Sequence, residues 1–216
     1  MKRYYVGVFG VFLVLFLTMF SYPVRADLPL QGKVVAIDSG HGGLDPGSLY
    51  NDIYEKDITL SIGKYLEKYL SEMGATVIMT RTSDSDLSNG ARNHRKKADF
   101  DERIKIINQN IVDMYVSIHL NYLTDTRYYG AQVFYNKDNE NLAKSIQEYL
   151  NKNTDTNREI KKIPTSTYMY DKLTTKGVLV ECGFLSNAME RSKLVTKEYQ
   201  SKFAKVLAEA ISHYYS

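Results

Sequence analysis

The chain has 216 residues, 28 of them basic and 25 acidic, for a formal net charge of +3. Lys2, Arg3 and Arg25 are the only charges in residues 1–26, so the remainder is formally neutral, which excludes the overall basic balance of a nucleic-acid binder. Cys182 is the single cysteine, which excludes an internal disulfide, and the length suffices for one domain with its own core.

Residues 4–22 form an apolar, uncharged run behind Lys2 and Arg3. Val24-Arg25-Ala26 then presents apolar or small side chains where a signal peptidase reads, so residues 1–26 are predicted to be an export signal cut after Ala26. Left uncut, the run approaches the roughly 20 residues of a membrane span and would tether the protein. Residues 28–216 read as one domain, without repeats, low-complexity tracts or a linker.

Val34-Val35-Ala36-Ile37 predicts a strand buried on both faces. The glycines after it suit a turn that brings backbone close to a site. Ile58, Ile62, Leu66, Tyr69 and Met73 recur at helical spacing over residues 55–73, and Gly74 ends that helix. Residues 76–80 read as a strand. Residues 83–98 are polar, with Asn89-Gly90 as a turn signal and basic Arg92, Arg95, Lys96 and Lys97, and are predicted to be a surface loop. Asp99 caps an expected helix carrying Phe100, Ile104 and Ile107. Strands follow over residues 111–118 and 130–135, a helix over 139–150, a buried strand over 176–182, and helices over 187–193 and 196–214. This alternation predicts an α/β fold: a single domain with a twisted, mostly parallel sheet of about five or six strands and helices on both faces.

In such sheets ligands bind beyond the carboxyl ends of the strands. His41 follows the first strand, His119 ends the third, Glu181 lies near the end of the last, and Glu55 opens a helix returning from the same edge. Two imidazoles and a carboxylate suit Zn²⁺, with His41, Glu55 and His119 as the expected ligands. Glu181 is the expected catalytic acid/base, because it interrupts the apolar run Gly177-Val178-Leu179-Val180, where burial raises a carboxyl pKa. Each residue has a plainer reading as well. His41 suits a simple turn, His119 a satisfied core histidine, and Glu55 a first-turn acid, a part that Asp52 or Asp57 could fill. Cys182 is a conceivable nucleophile, but strand alternation points it away from Glu181. His94 and His213 read as surface residues. Asn121, Arg92 and Arg95 are candidate substrate contacts, and the basic cluster of Arg92, Arg95, Lys96 and Lys97 reads either as a grip for a glycan or peptide carboxylate or as a solvated face. Tyr122, Tyr128 and Tyr129 make an aromatic loop beside the site, suited to sugar or to a partner protein.

The segments Val35-Ala36-Ile37-Asp38-Ser39-Gly40-His41-Gly42-Gly43, Glu55-Lys56-Asp57, Thr80-Arg81-Thr82, Ser117-Ile118-His119-Leu120-Asn121 and Val180-Glu181-Cys182-Gly183-Phe184-Leu185-Ser186-Asn187 resemble, in order and content, the zinc-dependent N-acetylmuramoyl-L-alanine amidases of bacterial cell walls. Asp38-Ser39 departs from the pair that usually opens the first motif. The resemblance spans the domain and implies zinc on His41, Glu55 and His119, a catalytic Glu181, peptidoglycan as substrate and action outside the cytoplasm. Within the family the compact single domain, the apolar N-terminal segment, the basic loop leading into Phe100-Asp101-Glu102-Arg103-Ile104 and the segment Tyr129-Gly130-Ala131-Gln132-Val133-Phe134-Tyr135 are similar to the sporulation branch, which implies removal of stem peptide from muramic acid on the way to muramic-δ-lactam in the spore cortex. An accessory spore or wall lipoprotein is an expected partner. The metal triad alone also suits a carboxypeptidase or endopeptidase acting on stem peptides, and a non-catalytic wall-binding domain is a third reading.

Overall fold

The computed structural model describes residues 28–216 apart from Arg92, Asn110 and Thr165. The export signal expected in residues 1–26 and the candidate contact Arg92 therefore lie outside the described residues.

Strand β1 (Val34–Ser39) is the second strand from one edge of a six-stranded sheet. Its neighbours β4 (Thr76–Met79) and β5 (Met114–Asn121) both run parallel to it. Strand β8 (Gly177–Phe184) pairs parallel to β5, and β6 (Gln132–Tyr135) antiparallel to β8. The short β7 (Lys161–Lys162) closes the far edge with two exposed lysines. Strands β2 (Leu49–Tyr50) and β3 (Ile53–Tyr54) form a separate small hairpin.

The strands alternate between two unequal layers. Val35, Ile37, Val116, Ile118, Val180 and Cys182 pack against α1 (Glu55–Glu72), α3 (Glu140–Asn153) and α6 (Lys197–Tyr215). Ile58, Ile62 and Leu66 show the 3.6-residue spacing that puts an apolar stripe on the sheet. Ala36, Tyr115 and Leu179 face the other way, toward α2 (Arg95–Ile107) and the five-residue α4 (Tyr168–Lys172). Helix α5 (Ala188–Leu194) follows β8, capped by Asn187, which accepts from Met189 and Glu190 N–H. Asp38, Ser117, His119 and Glu181 share the parity of the thinner layer. The site lies at the carboxyl ends of these strands.

The expected boundaries that bear on the site move at α2 and at both ends of β5. Helix α2 starts at Arg95 rather than after Asp99, so the end of the expected loop is its first turn. Asp99 is buried inside the helix, where it accepts from Leu87 N–H and from Arg103 Nε. Strand β5 starts at Met114, and Ile111 is 62% exposed. Asp113 instead ties this approach to Val34, its carboxylate accepting from Val34 N–H at 2.8 Å. At its other end β5 runs past His119 to Asn121.

Candidate metal centre

Beyond β1 the backbone turns through Gly40 and His41, and His41 takes φ = 63°, in the left-handed region. Gly40 allows His119 to lie against the turn, since a Cβ there would stand 2.3 Å from His119 Cε1. Gly47, at φ = 68°, leaves room for two candidate ligands: a Cβ there would be 2.6 Å from the His41 ring and 2.7 Å from Glu55 Oε2. The hairpin then delivers Glu55 as the first residue of α1, where the helix N-terminus favours a carboxylate. Glu55 is buried whereas Asp52 and Asp57 are exposed, so only Glu55 reaches the site.

Glu55 Oε1 stands 3.1 Å from His41 Nε2 and 3.0 Å from His119 Nδ1. One candidate ligand atom from each of His41, Glu55 and His119 lies within 4.8 Å of the others. Backbone groups fix the carboxylate, with Leu120 N–H donating to Oε1 and Ser48 N–H to Oε2. The imidazoles stand edge-on, with centroids 4.9 Å apart. His119 pairs across the strands with Glu181, and Glu181 with Gln132.

Charge in the site is tightly coupled. Burial disfavours ionisation of Glu55, but His119 and His41 outweigh it and hold the carboxyl far below its ordinary range. Burial also disfavours His41 imidazolium, yet the Asp45 and Glu55 carboxylates beside it raise its pKa to about 9. Asp45 Oδ2 stands 3.1 Å from His41 Nδ1, the position of a carboxylate that orients a ligating histidine. Glu181 is different: burial raises it to about 7, and its Oε2 has no hydrogen-bond partner among the described residues. A buried carboxylate oxygen without a protein partner implies a missing one. Two imidazoles, a clamped carboxylate and that orphan oxygen fit a catalytic zinc site with a water beside it.

His41, Asp45, Lys96, Asn121, Tyr122 and Glu181 border an open groove of about 460 Å³. Asn121 thus reaches it, whereas Arg95 Nη1 bonds Asp86 at 2.7 Å, and Lys96 is the basic side chain that borders the groove. Lys96 belongs to the basic cluster that the sequence offered as a grip, whereas Asp45 was missed altogether, although the spacing His41-Gly42-Gly43-Leu44-Asp45-Pro46-Gly47 held a signal in its acid between two tight turns. Tyr122, Tyr128 and Tyr129 are all exposed. His94 and His213 lie at the surface, away from the groove. Cys182 is buried in the thicker layer, and burial pushes its thiol well above the ordinary range.

The sequence profile of the family described as N-acetylmuramoyl-L-alanine amidase matches residues 35–213. The chain is 41% identical over 196 residues to the germination-specific N-acetylmuramoyl-L-alanine amidase of Bacillus subtilis (strain 168), covering 88% of this chain and 82% of that protein. Among solved structures it is similar to the CwlD amidase from Clostridioides difficile in complex with the GerS lipoprotein, with a TM-score of 0.78 and 38% identity over 84% of this chain and 98% of that one. It is also similar to the catalytic domain of CwlV from Bacillus (Paenibacillus) polymyxa var. colistinus, with a TM-score of 0.73 and 28% identity over 84% and 97%.

Proposed function

The chain belongs to the N-acetylmuramoyl-L-alanine amidase family and hydrolyses the amide between N-acetylmuramic acid and L-alanine in peptidoglycan; we propose that it does so with zinc held by His41, Glu55 and His119, and with Glu181 moving the proton. The observation that carries this reading is the convergence of those three donors within 4.8 Å of one another, on a groove also lined by Glu181, whose Oε2 has no partner among the described residues.

Zinc held by His41, Glu55 and His119 would supply Lewis acidity for the scissile carbonyl and would lower the pKa of water toward about 7. Glu181 takes a proton from the attacking water through its free oxygen. It then gives that proton to the departing nitrogen as the C–N bond breaks, leaving a lactyl carboxylate and an N-terminal L-alanine. Burial suits Glu181 to both roles, because a carboxyl raised to about 7 gains and loses a proton near neutrality. Leu120 and Ser48 N–H groups keep Glu55 from swinging out of the site. Asn121 and Lys96 lie along the groove, placed to meet the amide and carboxylate groups of a stem peptide. Cys182 has no part, since its thiol is held protonated on the opposite face.

Three finer points belong to the same proposal. The relative at 41% identity carries a germination-specific name, which supports a role in the spore cortex, where stem-peptide removal precedes closure of muramic-δ-lactam. Peptidoglycan lies outside the cytoplasm, so residues 1–26 serve as the export signal or, uncut, as a tether. Among the described residues no helix is long and apolar enough to cross a membrane. A similar solved amidase is in complex with a lipoprotein, and the exposed Tyr122, Tyr128 and Tyr129 offer an aromatic surface for such a partner here.

The test is mass spectrometry of peptidoglycan fragments after incubation with zinc-loaded protein. Peptides beginning with L-alanine, released from intact glycan, are expected. Cuts confined to bonds within the stem peptide would overturn the reading in favour of a peptidase.

A further inference from the structure

Arg81 and Arg103 are buried behind the metal centre, and their contacts run to the backbone of the His41 turn. Three consecutive carbonyls are held. Ser39 O accepts from Arg81 Nε at 2.9 Å and Arg103 Nη1 at 2.8 Å, and Gly40 O from Arg81 Nη2 at 2.8 Å and Thr59 Oγ1 at 2.9 Å. His41 O accepts from Arg103 Nη2 at 2.6 Å, its one hydrogen-bond donor among the described residues.

We propose that Arg103 is a positioning residue that holds His41 in its ligating posture and so sets zinc affinity; this rests on the metal-centre reading above. His41 sits at φ = 63°, a conformation that costs a non-glycine residue about 1–2 kcal/mol and persists only where its surroundings impose it. Arg103 imposes it from fixed points. Its Nε donates to Asp99 Oδ2 at 2.9 Å and its Nη1 to Asp38 Oδ1 at 2.8 Å. Each carboxylate is fixed by other donors too: Asp38 by Thr80 Oγ1 and Ser117 Oγ, Asp99 by Leu87 N–H. The third corner of the guanidinium, Nη2, is thereby aimed at His41 O. The backbone of a loop histidine thus takes its position from β1, β5 and α2, the rigid elements around it. Lysine cannot replace this arrangement, because a single ammonium cannot span the four acceptors that the planar fork reaches. Arg81 differs in having no carboxylate within ion-pair distance among the described residues, and it leaves His41 O untouched.

The experiment compares Arg103→Lys with Ile146→Ala, a cavity variant in the buried face of α3 in the opposite layer. Zinc affinity is read by chelator competition, cobalt coordination by visible absorption, and metal-free stability by thermal unfolding. Arg103→Lys is expected to weaken zinc binding by about 10- to 100-fold and to alter the cobalt spectrum. Ile146→Ala is expected to lower the unfolding midpoint yet keep zinc affinity within about twofold, as independent sites do. Wild-type affinity and spectrum in Arg103→Lys would overturn the inference. So would a loss of affinity in Ile146→Ala that matches its loss of stability. Should Arg103→Lys fail to fold, Asp38→Asn loosens the same fork, and its affinity must fall in the same direction or the inference is lost. Wild-type protein that takes up no zinc would overturn the metal-centre reading and the inference together, whereas zinc uptake with an indifferent Arg103 overturns the inference alone.

Discussion

His119 and Glu181 face each other across the parallel pair β5 and β8, one as candidate ligand and the other as candidate base. A single inter-strand register therefore spaces the candidate ligand from the candidate base. The ladder shifts immediately beyond this pair, between His119 and Asn121.

Separating those two roles is the first expectation. Glu181→Gln should retain zinc, because its side chain is outside the ligand set, and should lose turnover by about 10²- to 10⁴-fold. Metal analysis alongside muropeptide release checks both halves, and full activity would remove Glu181 as the base.

His119→Ala should lose zinc and turnover together, since two remaining donors do not make the three-ligand site a catalytic zinc needs. His94→Ala, at the surface, should change neither. Equal zinc content in wild type and His119→Ala would contradict the ligand assignment.

Gly40→Ala should damage the site without touching a donor atom. Its added Cβ would lie 2.3 Å from His119 Cε1, so the imidazole must move. Zinc affinity should fall by about tenfold or more while thermal stability changes less than in a core cavity variant. Unchanged affinity by chelator competition would show that the ring has other room.

Zinc uptake should release a proton from His41. In the metal-free protein burial opposes the imidazolium, but Asp45 and Glu55 outweigh it and raise His41 from an ordinary 6.5 to about 9. The stability this pairing adds is complete below 6.5 and is lost as pH rises through about 9. A ligating histidine must be neutral, so binding near neutral pH expels that proton. Calorimetry in two buffers of different ionisation enthalpy should show the release near pH 7 and its disappearance well above pH 9. No buffer dependence at neutral pH would count against the pairing.

Activity should fall as the medium is acidified through the Glu181 titration. Burial raises this carboxyl to about 7 without metal, and a nearby divalent cation favours the ionised form, so the acid limb of kcat/KM should lie at or below about 7. The limb should vanish from the residual activity of Glu181→Gln. A profile that is flat in wild type would argue against a titrating base.

Much of this was legible before any coordinates. The strands are buried on both faces, so they appear as short apolar runs, and the polar residues that end or interrupt them stand out. That is why His41, His119 and Glu181 were visible, and why Cys182 could be assigned to the other face. Glu55 was separable from Asp52 and Asp57 only in the fold, because helix periodicity does not say which first-turn acid turns inward. Arg103 and Asp45 escaped for a related reason. Each acts on His41 rather than on metal or substrate, and one of them comes from a helix more than sixty residues away. The start of α2 was hidden by its charge, since Arg95, Lys96 and Lys97 make a helix turn look like a loop.

The far edge of the sheet is closed by β7, two exposed lysines long. A strand so brief and so cationic offers an incoming chain almost no ladder to extend, and like charges meet if a second copy approaches. An enzyme that works amid dense polymer is thereby guarded, at this edge, against joining a neighbour strand to strand.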